Sequence, residues 1–122
     1  YDNRGLLKYY LGDNQGAIDD FTKELELIPK DIRAHYVYYH RGLARNKSGD
    51  KKGAISDFSK ALELNSKGVN SRSVYIIRGN AKQEIGDLKG ACKDYKIAVS
   101  FGDQETAQWL KSDKGTWCGN MQ

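Results

Sequence analysis

Apolar residues recur at spacings of three and four along most of the chain, between short polar segments that contain Gly-Asp. After Gly49 and Asp50 the apolar positions are Ala54, Ile55, Phe58, Ala61 and Leu62. Residues at this spacing share one face of an α-helix, so the stretch predicts an amphipathic helix. Over the whole chain, the same reasoning predicts helices at about 1–11, 14–27, 32–48, 51–64, 70–85, 88–101 and 103–113.

The pattern repeats every 37 residues, three times in succession. Eight positions are identical in all three copies, which random residue usage does not produce. In the second copy they are Tyr38, Arg41, Gly42, Gly49, Asp50, Gly53, Ala54 and Asp57. The chain is therefore a repeat array, built from one structural unit used three times.

Each copy predicts two helices joined at a Gly-Asp turn. A glycine just past the first helix, such as Gly49, can adopt the left-handed conformation that ends a helix. The aspartate that follows, Asp50, can accept hydrogen bonds from the free amides of the next helix. The turn is thus specified by local sequence.

The repeats resemble the tetratricopeptide repeat family over about residues 1–102. The resemblance is carried by an aromatic residue, then glycine, alanine, a second aromatic, a second alanine and proline. The second copy has Tyr38, Gly42, Ala54, Phe58 and Ala61; the first has Tyr1, Gly5, Ala17, Phe21 and Pro29, with Glu24 at the second alanine; the third has Tyr75, Gly79, Ala91, Tyr95 and Ala98. The period departs from the family's usual value of about 34 residues, and the extra residues fall in the connections between copies.

The resemblance implies an all-α fold, a right-handed superhelical array of antiparallel helix pairs with a C-terminal capping helix. We expect one domain over residues 1–122. Its parts are repeat 1 (1–31), repeat 2 (32–68), repeat 3 (69–102), and a capping helix and tail (103–122), in which Trp109 and Leu110 cover the last hairpin.

A pair of basic residues replaces apolar family positions in every copy. We call these residues the basic ladder: Arg4 and Lys8, Arg41 and Arg45, Arg78 and Lys82. In one interpretation each arginine pairs with the aspartate of the next helix, namely Asp20, Asp57 or Asp94. In the other, the ladder is a stripe that binds an acidic ligand or nucleic acid.

The resemblance also places a ligand groove on the first helix of each repeat. The candidate groove residues are Asn3, Leu6, Tyr9, Tyr10, Tyr36, Tyr39, His40, Leu43, Lys47, Ile76, Ile77, Asn80 and Gln83. Tyrosines dominate the first two helices, and tyrosine is enriched at binding surfaces. Equally, these tyrosines can pack against a neighbouring repeat.

Some family members grip a chaperone's C-terminal carboxylate with lysine, asparagine and arginine side chains. The matching positions here hold Asp2, Leu6, His40, Ser73 and Ile77. None of these residues fits that role, so a chaperone tail is disfavoured as the partner.

Charge and cysteine content add little to this picture. The net charge is +4, but basic and acidic residues alternate without a polybasic block, so nucleic acid is not favoured. No apolar run is long enough to span a membrane, and we expect a soluble chain, with a cytoplasmic location preferred. Cys92 and Cys118 are interpreted as free thiols, with Cys92 in the core; the alternative is a disulfide that ties the tail to the last hairpin.

No arrangement of residues indicates catalysis, a cofactor or a metal. His35 and His40 are five residues apart, which does not place both imidazoles on one helix face. The leading hypothesis is a non-enzymatic scaffold that binds an unidentified peptide or protein segment. The alternatives are an architectural segment of a longer solenoid, a homo-oligomer built through the N-terminal end near Tyr1, and a less favoured RNA or anionic-ligand binder.

Overall fold

The computed structural model describes residues 3–28, 31, 33–67, 71–112 and 114–119. This part of the chain contains helices and no strand. The helices are α1 Arg4–Tyr10, α2 Asn14–Leu27, α3 Ala34–Ser48, α4 Lys51–Leu64, α5 Ser71–Glu84, α6 Leu88–Ser100, α7 Gln104–Lys111 and α8 Thr116–Gly119. All seven predicted helices form, with ends displaced by no more than a few residues. Tyr1, Asp2 and Pro29, which entered the sequence analysis, lie outside the described residues.

The chain forms two compact units, Tyr1–Gly68 and Val69–Gln122. The expected single domain of three repeats and a cap remains a prediction. We refer to the two units as the N-terminal unit and the C-terminal unit and describe each by itself.

The N-terminal unit consists of consecutive helix pairs, in which α1 packs on α2, α2 on α3 and α3 on α4. Its core is apolar and contains one large aromatic side chain from each second helix, Phe21 in α2 and Phe58 in α4. Of the predicted face of α4, Ala54, Phe58, Ala61 and Leu62 are buried, and Ile55 is half-buried. The three-and-four spacing therefore identified the packing face correctly.

The turns within repeats form as the sequence predicts. Gly49 ends α3 in the left-handed conformation, with φ of 97°. The Asp50 carboxylate then accepts a 2.9 Å hydrogen bond from the amide of Gly53, the third residue of α4. Asp13 caps α2 and Asp87 caps α6 in the same way.

Two glycines recur inside the helices of each repeat, one in the second helix and one in the first, and each has a steric cause. A Cβ atom on Gly53 would collide with the carboxylate of the capping Asp50. A Cβ on Gly42 would come within 2.6 Å of the Phe58 ring, so that glycine allows α3 and α4 to approach closely. Repeated glycines thus serve both the cap and the helix contact.

In the C-terminal unit, α5 packs on α6, and α7 and α8 cover α6. The Trp109 ring on α7 meets Tyr95 of α6 edge-on, with centroids 5.3 Å apart, and also contacts Trp117 of α8. Leu110 packs against the buried cluster around Cys92. The expected capping role of Trp109 and Leu110 is confirmed, while α8 was not predicted.

The interpretation of the cysteines as free thiols is wrong. Cys92 on α6 and Cys118 on α8 form a disulfide, and both residues are buried. The other alternative, a bridge from the tail to the last hairpin, is the one the structure contains. Spacing along the chain did not reveal the bridge, because Cys118 reaches Cys92 only after α7 has packed and the chain has turned back.

Candidate functional site

The candidate groove residues lie on two surfaces, one in each unit. In the N-terminal unit, tyrosines of α1 and α3 form what we call the tyrosine surface: Tyr9, Tyr10, Tyr36 and Tyr39. The Tyr9 and Tyr10 rings are 5.3 Å apart, and the Tyr36 and Tyr39 rings both contact His40. Burial, followed by the neighbouring tyrosines, raises the pKa of the Tyr39 hydroxyl. Tyr10 is 75% exposed and Tyr36 is 37% exposed, so part of this surface meets solvent.

His40 supports the tyrosine surface from beneath. It is buried, with its ring 4.3 Å from that of Tyr36 and 5.1 Å from that of Tyr39. Its Nδ1 lies 2.9 Å from the Tyr36 carbonyl oxygen, which only accepts, so this nitrogen carries the proton. Burial lowers the pKa of the imidazole. His40 is thus placed to orient the tyrosines more than to touch a ligand.

The remaining candidates of the N-terminal unit have varied surroundings. Lys47 places its ammonium 4.6 Å from the centre of the Tyr9 ring, a cation–π contact. Leu6 packs against the core, and Leu43 is half-buried. Asn3 is exposed and lines a shallow depression with Arg33, His35 and Tyr36.

In the C-terminal unit a cavity of about 450 Å³ opens between α5, α6 and α7. We call it the α5–α7 pocket. Its described lining residues are Ile76, Asn80, Gln83, Tyr95, Asp103, Glu105, Thr106 and Trp109. The structure brings three sequence candidates together here, Ile76, Asn80 and Gln83. Ile77 is half-buried and is not among these lining residues.

Tyr95 organises the polar wall of the α5–α7 pocket. Its hydroxyl lies 2.7 Å from Asn80 Oδ1 and 2.9 Å from Gln83 Oε1. A hydroxyl has one proton and donates to one of these oxygens at a time, so Asn80 and Gln83 alternate as its acceptor. Burial, with the charges of Asp94 and Glu84, raises the pKa of Tyr95 to about 12, which keeps the donor protonated.

The opposite wall of the α5–α7 pocket is acidic. Asp103 caps α7 through a 3.0 Å hydrogen bond from the Thr106 amide, and the hydrogen bonds from Thr106 lower the pKa of Asp103. Glu105 is exposed in the first turn of α7. None of the lining residues named above is lysine, arginine or histidine. The pocket therefore presents carboxylates, amides and an indole.

Sequence reasoning did not identify five of the eight lining residues as part of a site. Tyr95 was assigned to the repeat motif and Trp109 to the cap, and both assignments hold, but these residues also line the pocket. Asp103, Glu105 and Thr106 are the first turn of a predicted capping helix. The helix periodicity was the sequence signal that could have identified these residues. It predicts α7 as another first helix, and a first helix can contribute to a groove.

Ion pairs within the protein engage five residues of the basic ladder: Lys8, Arg41, Arg45, Arg78 and Lys82. Arg41 donates to both oxygens of Asp57 at 2.8 and 3.0 Å, and Arg45 Nη1 donates to the same carboxylate at 3.1 Å. In the C-terminal unit, Arg78 and Lys82 share Asp94 in the same manner. In the first repeat, Lys8 lies 3.0 Å from Asp20. The predicted arginine–aspartate pairing is confirmed for Arg41 and Arg78.

The described part of the chain contains neither a metal-ligand cluster nor a membrane-spanning helix. There, no three His, Cys, Asp or Glu side chains are grouped so that they could hold a metal ion. Likewise, none of the helices described above has the length and apolar character needed to cross a membrane.

Comparison with known proteins agrees with the repeat architecture. A family model described as tetratricopeptide repeat matches residues 35–67, the segment that contains α3 and α4. No curated protein sequence matches the chain.

Two solved structures share the fold. The first TPR of Spaghetti (RPAP3), bound to the HSP90 peptide SRMEEVD, has 24% identity and a TM-score of 0.72, over 90% of this chain and 90% of that one. The crystal structure of MamA has 18% identity and a TM-score of 0.57, over 98% of this chain and 90% of that one. Residues 35–67 thus match a tetratricopeptide repeat, and over most of its length the chain shares the helical fold of these two structures.

Proposed function

We propose that this protein is a protein–protein interaction module. It binds a peptide or protein segment on the face formed by the first helix of each repeat. The α5–α7 pocket is the observation that carries the proposal. Its volume of about 450 Å³ lies in the range of small-ligand and side-chain pockets, and its polar groups are already oriented by Tyr95. Preorganised groups cost little entropy on binding, which favours recognition of a partner.

The tyrosine surface supports the same function. Exposed Tyr10 and Tyr36 offer large amphipathic side chains with few torsions to immobilise. The role of His40 in binding is indirect, because its ring packs beneath Tyr36 and Tyr39. Replacement of His40 would consequently disturb the fold together with the surface, whereas replacement of Tyr10 tests the surface alone.

An NMR experiment tests this proposal. Peptides are selected from a displayed random library and titrated into the ¹⁵N-labelled protein, and the amides that shift are mapped. We expect saturable shifts in α5 and α7, or in α1 and α3. Asn80→Ala should weaken the binding of peptides that shift α5 and α7, and Tyr10→Ala should weaken the binding of peptides that shift α1 and α3. Lys93→Ala, an exposed change on α6, is the matched control. Shifts confined to α2, α4 and α6, or equal binding by all variants, would refute the groove assignment.

An acidic chaperone tail is a disfavoured partner. The peptide in the Spaghetti (RPAP3) structure, SRMEEVD, carries three acidic side chains. In this chain five residues of the basic ladder are engaged with aspartates, and the α5–α7 pocket contains Asp103 and Glu105. We expect SRMEEVD to bind less tightly than the selected peptides in the same titration.

The architectural alternative rests on exposed apolar residues in α1 and at its C-terminal end. Leu7 is 60% exposed and Leu11 is 75% exposed, and such side chains can contact another repeat or a second copy of the chain. Light scattering at several protein concentrations separates the two functions. A molecular mass that rises with concentration, and returns to the monomer value in a Leu7→Ser/Leu11→Ser variant, would favour the architectural role.

A further inference from the structure

We propose that the α5–α7 pocket recognises a cationic side chain, arginine in preference to lysine, in the bound segment. This inference rests on the proposed function and specifies the ligand chemistry of one site. It is drawn from the composition and geometry of the pocket walls, which differ from those of a carboxylate-binding groove.

The charge of the pocket favours a cation. Asp103 and Glu105 contribute two negative charges, and Glu84 is close enough to act on Tyr95. The hydrogen bonds from Thr106 keep Asp103 ionised at neutral pH. Because the chain as a whole has a net charge of +4, this acidic wall is a local feature and not a consequence of overall composition.

The neutral walls also suit a guanidinium group. The Asn80 and Gln83 carbonyl oxygens are held at hydrogen-bonding distance from Tyr95, and each has a second lone pair for an incoming N–H donor. The Trp109 indole provides an aromatic surface of the kind on which a planar guanidinium stacks. The ammonium group of lysine would pair with the carboxylates but is not planar and would stack less well on the indole. We therefore expect the pocket to prefer arginine.

Arg72 is a cation of α5 that approaches the acidic wall of the pocket. Its Nε lies 3.9 Å from Asp103 Oδ1, and its side chain is 51% exposed. An ion pair of this length and exposure contributes little, so it leaves Asp103 available for a ligand. Arg72 is not one of the lining residues named for the pocket. Its contact is with Asp103 and does not involve Glu105.

The test uses four capped heptapeptides, Gly-Ser-Leu-X-Leu-Ser-Gly, in which X is Arg, Lys, Gln or Glu. Each is titrated into the full ¹⁵N-labelled chain, and the dissociation constant is taken from the Trp109 indole and the α7 amides. We expect the Arg peptide to bind about fivefold to tenfold more tightly than the Gln peptide, with Lys between them and Glu weakest. Higher ionic strength should reduce the difference in affinity between the Arg and Gln peptides.

The variant Asp103→Asn/Glu105→Gln removes both charges while asparagine retains the capping hydrogen bond of α7. We expect the Arg and Gln peptides to bind this variant with nearly equal affinity. Glu63→Gln, an exposed change in the N-terminal unit, serves as the control and should retain the preference. Thermal unfolding of each variant verifies that α7 remains folded.

The inference is overturned if the Arg peptide does not bind at the pocket, if it binds no better than the Gln peptide, or if its advantage survives in the double variant. Tighter binding of the Glu peptide would overturn it as well. These results leave the proposed function intact, since that function is judged separately by the library-selected peptides and the Asn80→Ala and Tyr10→Ala variants.

Discussion

Asp57 illustrates how one residue links two helices. Its carboxylate is 2% exposed and accepts hydrogen bonds from Arg41 and Arg45, which come from the preceding helix. Buried carboxylates are stable only when paired, and here two cations share one anion. The contact explains why the basic pair and the aspartate recur together in each repeat.

Replacement of Asp57 by asparagine should therefore destabilise the protein strongly. The change removes the anion that Arg41 and Arg45 share and leaves Arg45 only its 4.0 Å contact with Asp50. We expect a loss of about 3 kcal/mol in the free energy of unfolding. Urea denaturation followed by circular dichroism measures the loss. The control is Glu63→Gln, which breaks the exposed pair with Lys60 and should cost under about 0.5 kcal/mol. Equal effects of the two changes would contradict this account.

His40 should make the stability of the N-terminal unit depend on pH. Because burial lowers its pKa in the folded state, the unfolded state binds the proton more readily. Stability is then complete above the unfolded pKa of about 6.5, and falls as pH decreases from there toward the folded pKa. Denaturation at several pH values between about 7.5 and 5 should show this fall.

A His40→Phe variant retains an aromatic ring but has no proton to bind. We expect it to lose the His40 part of the pH dependence, whereas a His35→Gln variant should keep that part. Direct NMR titration of the imidazole is the second measurement. A His40 pKa at or above its ordinary value would refute the assignment.

At the scale of the element, helix ends are defined by short local motifs. Each Gly-Asp turn ends one helix with a positive φ at glycine and begins the next with an aspartate cap. The same arrangement at Gly102 and Asp103 begins α7, although α7 lies outside the three repeats. Within the repeats this turn precedes the second helix, so at α7 it reflects local capping chemistry and not a position in the repeat.

Removal of one cap should have a moderate effect. In an Asp50→Ala variant the Gly53 amide loses its acceptor, and we expect a loss of about 1 kcal/mol in the free energy of unfolding. The neighbouring Lys52→Ala change, at an exposed helical position, should cost no more than a few tenths of a kcal/mol. Chemical denaturation compares the two variants, and a loss for Lys52→Ala as large as that for Asp50→Ala would argue against the cap.

At the scale of the whole molecule, the Cys92–Cys118 bridge connects the tail with α6. The two cysteines are 26 residues apart, and closing a loop of about this size restricts the unfolded chain. Disulfides persist in oxidising compartments, whereas the sequence alone led us to prefer a cytoplasmic location. That location remains an untested prediction.

We expect a thiol titration of the oxidised, denatured protein to find no free cysteine. Reduction, or a Cys92→Ser/Cys118→Ser variant, should lower the stability of the C-terminal unit by about 3 kcal/mol. The stability of the parent protein under reducing conditions should equal that of the double variant. Free thiols in protein prepared without reductant, or unchanged melting after reduction, would contradict a stabilising disulfide.

Sequence reasoning predicted most of the fold but only part of the candidate site. Asn80, Gln83 and Ile76 were identified because the repeat register places first-helix residues on one face. His40 was proposed as a groove residue, and the structure buries it among Phe21, Tyr36 and Tyr39. A position in a helical register states which face a residue occupies, but not how much of that face its neighbours cover.

The sequence by itself determined the helices, the turns and the repeat, because helix periodicity, a left-handed glycine and an aspartate cap act within a few residues. Tertiary structure alone decided three other features. These are the sharing of Asp57 by two arginines, the pairing of Cys92 with Cys118, and the union of amide, carboxylate and indole groups in the α5–α7 pocket. Each depends on distances between side chains of different helices, which are set only when the helices have packed.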